Sequence, residues 1–321
     1  MPAKSAKTIK HIIKLQGFDL EKGKISFSLL SKLNEHLIRL SESTLLNFIE
    51  GNSTIKRGRQ AVWLSKSLDF HLTAIKEGST ILEVEAPVLE TTIANIQVPM
   101  FSEQPVEDVA KNSALSLGMF AFNQALAGKL DSSLLDKHLL REMQEFGKFL
   151  NKKGSSIEVG LGKRLKPIKL KKEGIEKIKS IEEKTPSSVK TKVTGVLDVL
   201  KHSHNQLELI VDGTKRIRAI LSEQIKINEL TGFFGKEVTV TGIAHYNPAG
   251  SIISFEISGY KGVVKKDKYF QQVPKPLFEE TDLKRVMENQ KYKGYNPDKV
   301  IKLTHQLEVE ESLEDLLADL K

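Results

Sequence analysis

The run KVTGVLDVLKHSHNQLELIVDGTKRIRAIL, Lys192–Leu221, limits what this 321-residue chain can fold into more than any other stretch. Apolar and polar residues alternate in pieces of strand length, and Asp212-Gly213 stands between two of them as the dipeptide that best closes a tight hairpin. The pattern predicts strands over Val189–Leu200, Gln206–Val211 and Lys215–Leu221, with KHSH turning between the first two. A helix is expected over SEQIKINELTGFF, Ser222–Phe234, then strands over Glu237–His245 and Ile252–Gly259 joined by YNPAG. Val238 and Val240 alternate with Thr239 and Thr241, and Ile253, Phe255 and Ile257 alternate with Ser254, Glu256 and Ser258. Gly195 and Gly242 fall inside strands, where a barrel uses glycine to bend sharply.

Five strands with a helix between the third and fourth resemble the OB-fold, a small Greek-key barrel. The resemblance covers Val189–Val264, about a quarter of the chain, and rests on element order; an SH3-like barrel is the competing small fold. It implies single-stranded nucleic acid as a partner, held by a basic groove with stacking aromatics. Lys190, Lys192, Lys215, Arg216 and Arg218 supply the charge, and Arg216 and Arg218 point from the same strand face. Tyr246 and Tyr260 are the expected stackers, because Phe255 alternates with the core face. The plainer alternative is an ordinary solvated face on a structural module.

Upstream, Thr8–Phe18 and Lys24–Phe27 read as short strands, and from Ser28 the pattern turns helical, with Leu30, Leu33, Leu37 and Leu40 on one stripe. SLDFHLTAI and STILEVEAP flank KEG as a hairpin, with Leu68, Phe70 and Leu72 on one side of the first strand. Two helices follow, the second carrying Leu135, Leu139, Met143, Phe146 and Leu150, with Asp131, Ser132 or Ser133 to cap it. The fold class expected is α+β. An N-terminal α+β domain over 1–160, with a small antiparallel sheet and packed helices, leads to a lysine-rich connector over 161–186. An OB-like five-stranded barrel over 187–264 and a C-terminal tail over 265–321 complete the chain.

Charge is uneven. Lys148–Lys192 holds 14 basic residues against 5 acidic, whereas Gln306–Lys321 holds 6 acidic against 1 basic. A basic middle and an acidic end point to different partners. With no cysteine, disulfides, thiolate zinc and a cysteine nucleophile are excluded. The start has no apolar signal core and no run is long enough to span a bilayer, so a cytoplasmic protein without membrane contact is expected.

Known catalytic patterns are absent. Gly160-Leu161-Gly162-Lys163 is followed by Arg164 where a phosphate loop needs a hydroxyl, and His202 and His204 have no carboxylate beside them. Glu83 and Glu85 share one strand face but lack a neighbouring base, so a solvated face is expected there. No catalytic residue, metal site or cofactor is nominated.

In the tail, Ser312 can cap a short helix on which Leu313, Leu316, Leu317 and Leu320 form an apolar stripe among carboxylates. Such a stripe needs a groove in its own domain or in a partner. This ending is similar to the acidic, leucine-rich ends of some bacterial antitoxin-like proteins, and the whole chain resembles an uncharacterised bacterial protein family. That resemblance implies an adaptor or antitoxin-like protein that occupies a basic toxin or nuclease surface. The present chain is several times longer than a typical antitoxin and shows no clear N-terminal DNA-binding motif.

Overall fold

The computed structural model describes residues 7–18, 24–55, 61–76, 80–93, 109–150, 155–160, 167–201, 205–222 and 224–276. The expected tail stripe at Leu313, Leu316, Leu317 and Leu320, the loop histidines His202 and His204, and the glycine–lysine turn at 161–163 lie outside them.

The N-terminal body is a five-stranded antiparallel sheet with helices on one face. Its strands are β1 (Thr8–Gln16), β2 (His71–Lys76), β3 (Thr80–Pro87), β4 (Ser156–Gly160) and β5 (Ile168–Lys171), in the order β2-β3-β1-β4-β5. Ile13, Leu15, Leu82, Val84, Ile157, Val159 and Leu170 turn inward. The opposite face carries Lys10 and Lys76 on either side of Glu83, and Lys14 at 3.2 Å from Glu158. The two lysines hold the Glu83 carboxyl below its usual range, which suits a structural ion pair and not a proton-transfer group.

Helix α1 (Phe27–Glu50) begins where a strand is expected over Lys24–Phe27. Ser26 caps it by accepting the Leu29 amide, so the extended backbone before the cap, and not a strand, accounts for the β-like composition. Leu33, Leu37 and Leu40 cover the sheet. From Leu40 to Ile49 the helix is buried all round, between the sheet, the other helices and the barrel. Short helices α2 (Val62–Ser67) and α3 (Leu89–Thr92) flank the β2–β3 hairpin. Leu68 therefore ends a helix, and the hairpin strand starts only at His71.

Helices α4 (Ala114–Ala127) and α5 (Lys137–Lys148) complete the layer. The stripe Leu135, Leu139, Met143, Phe146 and Leu150 is wholly buried, but the cap is Asp136, which accepts the Leu139 amide at 2.8 Å. The segment expected as a connector is part of this body. Ile168 and Leu170 pair with Val159 and Ile157, and α6 (Lys172–Lys184) buries Ile178 and Ile181 in the same core. Arg141 on α5 reaches Glu182 on α6 at 2.8 Å.

Beyond Thr185 come β6 (Val189–Lys201), β7 (Gln206–Val211), β8 (Lys215–Leu221), β9 (Glu237–Tyr246) and β10 (Ile252–Gly262). They form a closed barrel, β10-β8-β7-β6-β9, in which β8 and β10 are parallel and every other described pair is antiparallel. This is the OB-like arrangement expected. Asp212 and Gly213 both take positive φ, 55° and 68°, as the central residues of an I′ turn do, and the Thr214 amide donates back to the Val211 carbonyl at 3.3 Å. A Cβ on Gly242 would lie 2.0 Å from the Glu256 carbonyl oxygen, so that bend admits only glycine. Between β8 and β9 the expected helix shortens to a 3₁₀ turn, Ile227–Phe233, whose Leu230 is fully buried with the barrel core. A second 3₁₀ turn, Lys265–Phe270, follows β10.

Candidate nucleic-acid interface

The outer wall of the barrel has two flanks of similar sequence and different fate. On β8, Ile217 and Ala219 point into the barrel, which turns Arg216 and Arg218 outward. That flank meets the C-terminal end of α1. Arg218 donates to the carbonyls of Phe48, at 3.0 Å, and Ile49; Gln206 donates to Ile49 at 2.5 Å; and the Ser254 hydroxyl donates to Gly51.

The last carbonyls of a helix lack intrahelical donors and carry partial negative charge, so a guanidinium is a fitting partner. Burial pushes the Arg218 pKa down to about 10, which still leaves it charged at neutral pH. Gly51 ends the helix at φ 73°, and a Cβ there would lie 2.5 Å from that of Ser254. Asn247 donates to the Asp131 carbonyl at 3.0 Å, and the Ala249 amide to Leu130 at 2.9 Å. The part of the β8 flank around Arg218 is thus covered by the chain's own helix, and Arg218 is withdrawn from the expected site. Arg216 stays partly exposed but is committed to Asp198 at 2.6 Å and Glu208 at 3.5 Å. Lys215 is exposed beside the hairpin tip.

Of the two expected stackers, Tyr246 is withdrawn and Tyr260 is half-exposed. Tyr246 is 2 % exposed and packs in the barrel core, because its parity matches Val238 and Val240. Tyr260 donates its hydroxyl to Glu229 at 3.0 Å, which raises its pKa, and its ring lies edge-on to Phe233 at 5.8 Å.

The other flank is open. Lys190 and Lys192 lie exposed on β6, and the Lys192 ammonium sits 5.7 Å from the centre of the Phe270 ring. That ring belongs to the second 3₁₀ turn, KKDKYF, in which Lys265, Lys266 and Lys268 are exposed and Tyr269 is 86 % exposed.

Asp267 holds the turn in place. It is 3 % exposed and accepts from the Val264 amide at 3.0 Å and from Lys261 at 2.9 Å, while its own carbonyl accepts from Thr194 at 3.3 Å. The Val264 amide first, and then Lys261, hold its carboxyl below the usual range. One acid is turned inward and neutralised while its neighbours project outward. The lysines of KKDKYF followed directly by two aromatics were the available signal, which starts one residue beyond the expected domain limit at Val264.

His11 and Ser113 have the look of a base and a nucleophile, with Nε2 and Oγ 2.9 Å apart. Both are fully buried, and burial pushes His11 down to about 4. Ser113 caps α4 by accepting the Ser116 amide, so the pair is structural. Among the described residues no group of three or more His, Asp or Glu side chains converges as a metal site, and no helix is long and apolar enough to cross a membrane.

No family model, curated protein or solved structure matches the chain.

Proposed function

We propose that this chain binds nucleic acid through the open flank of its barrel, with no catalytic step of its own. The observation that carries the reading is Tyr269, 86 % exposed on a turn whose Lys265, Lys266 and Lys268 project beside it. Lys190 and Lys192 continue the positive surface along β6. Lysines on this flank pair with phosphates as solvated point charges, and the tyrosine offers a face on which an unpaired base stacks. Single-stranded nucleic acid is therefore the preferred form. The exposed lysines of β5 and α6, among them Lys169, Lys171 and Lys172, add to the long-range field without supplying a stacking surface.

The test is fluorescence anisotropy of the full chain with a labelled oligo-dT strand and with a duplex of the same length, across a salt series. Single-strand affinity falls steeply with salt. The triple change Lys265→Glu, Lys266→Glu, Lys268→Glu lowers the slope of log K against log salt by about 2. Tyr269→Ala weakens the single strand by roughly 1–3 kcal/mol and leaves the slope unchanged. Absence of saturable binding, or full affinity in the triple variant, overturns the reading.

A further inference from the structure

Where α1 meets the barrel, the two bodies do not close completely. Between the helix end, α4 and the β9–β10 turn lies a cleft of about 320 Å³, within the range of small-molecule sites. Its lining is mixed: Phe48 from α1, Leu117 and Phe120 from α4, and Ile252 and Ile253 from β10 give an apolar face, and Asn47, Ser133, Asn247 and Ser251 give neutral polar groups beside it. The clamp described above fixes the spacing of these walls, because Arg218, Gln206 and Ser254 grip the end of α1 and the bare Gly51 sets how near it comes. The cleft is a preformed space between two elements tied together by these hydrogen bonds.

The charged groups at its edge are largely matched, although the buried Arg218 Nε has no partner. Arg216 is held by Asp198 and Glu208, and Arg218 by the helix carbonyls, with Asp131 as a further exposed acid on the rim. A strongly anionic ligand would meet Glu208 and Asp131 without an uncommitted guanidinium to offset them. A cationic one would meet Arg216 and Arg218, with the exposed Asp131 as the acid not already facing a guanidinium. What remains favourable is the transfer of apolar surface out of water, roughly 25 cal/mol per Å² buried.

We infer that the cleft is a binding site for an uncharged molecule of one or two fused rings. The rings lie against Phe48, Phe120 and Ile253. The site is separate from the basic flank and does not depend on nucleic-acid binding.

Ligand-observed NMR on the full chain with indole, and with indole-3-carboxylate as its charged counterpart, tests this. Indole binds saturably, and the acid binds at least fivefold more weakly. Ser133→Trp, at an exposed rim position, and Ile253→Trp, on the partly exposed wall, each weaken indole at least tenfold. Both variants are checked by urea melts, and Ser133→Trp keeps the test valid if the β10 change perturbs folding. Leu72→Glu serves as the control, because Leu72 lines a different apolar groove between α1 and the sheet; it leaves indole binding unchanged. The inference fails if indole does not bind, if the acid binds as tightly, if filling the cleft has no effect, or if Leu72→Glu removes the binding.

Discussion

Strands β6 and β8 each place two basic residues two positions apart on the outside of the same barrel, yet they do opposite things. On β8, Arg218 turns to the end of α1 and disappears from the surface, while Arg216 is held by two carboxylates. On β6, Lys190 and Lys192 stay in water. The side-chain chemistry accounts for the split. A guanidinium is weakly hydrated and presents a rigid fork of donors that can satisfy several carbonyls at once; an ammonium is strongly hydrated and loses more on burial. A count of positive charges along the barrel treats the two flanks alike, although β8 commits its arginine pair to the chain's own carbonyls and carboxylates.

The comparison can be broken most forcefully at Gly51. Gly51→Ala forces a left-handed residue to carry a Cβ against Ser254, and should cost about 3–4 kcal/mol in urea unfolding by strain and overpacking together. Arg218→Ala removes charge-assisted bonds to the α1 carbonyls and should cost about 2–3 kcal/mol, with oligo-dT affinity within twofold of the parent. A large loss of affinity in a folded Arg218→Ala protein would mean that the covered flank opens to bind.

On the open flank, Asp267→Asn should have a smaller effect on stability and a pH signature. The carboxyl is held below its ordinary value in the folded chain, so its stabilisation is complete above the unfolded value, near pH 4, and is lost as pH falls through the folded one. Urea midpoints of parent and variant should differ at pH 7 and draw together as the pH falls below the ordinary aspartate value of about 4. Smallest of all, Tyr269→Ala should leave the unfolding midpoint within about 0.5 kcal/mol, since a solvated ring supports nothing.

Much of this fold is legible from periodicity. The five barrel strands, the Asp212-Gly213 turn, the leucine stripe of α1 and the stripe from Leu135 to Leu150 all follow from local pattern and stand in the structure. Other features were equally present and harder to weigh. Val238 and Val240 fix a parity that carries on through Ala244 to Tyr246 and puts that tyrosine in the core. Ile168 and Leu170 alternate with lysines as an edge strand does, although the dense charge around them suggested a linker.

Some features could not be read at all. The β-bulge between Ile257 and Gly259 shifts the register before Tyr260, so alternation from Phe255 does not predict its side. The grip of Arg218 on α1 joins residues about 170 positions apart, beyond the reach of any local pattern. The open flank depended on Asp267 turning inward, which is a matter of tertiary hydrogen bonding and not of composition.

The clamp at the end of α1 also orders events during synthesis. The N-terminal sheet and its helices have all their strands once residue 185 has emerged, yet the Phe48, Ile49 and Gly51 carbonyls must wait for donors at 206, 218 and 254. Until the ribosome has made most of the barrel, only water serves those carbonyls. The last turn of α1, the longest helix among the described residues, therefore packs its side chains within the first body and completes its hydrogen bonds only when the second body arrives.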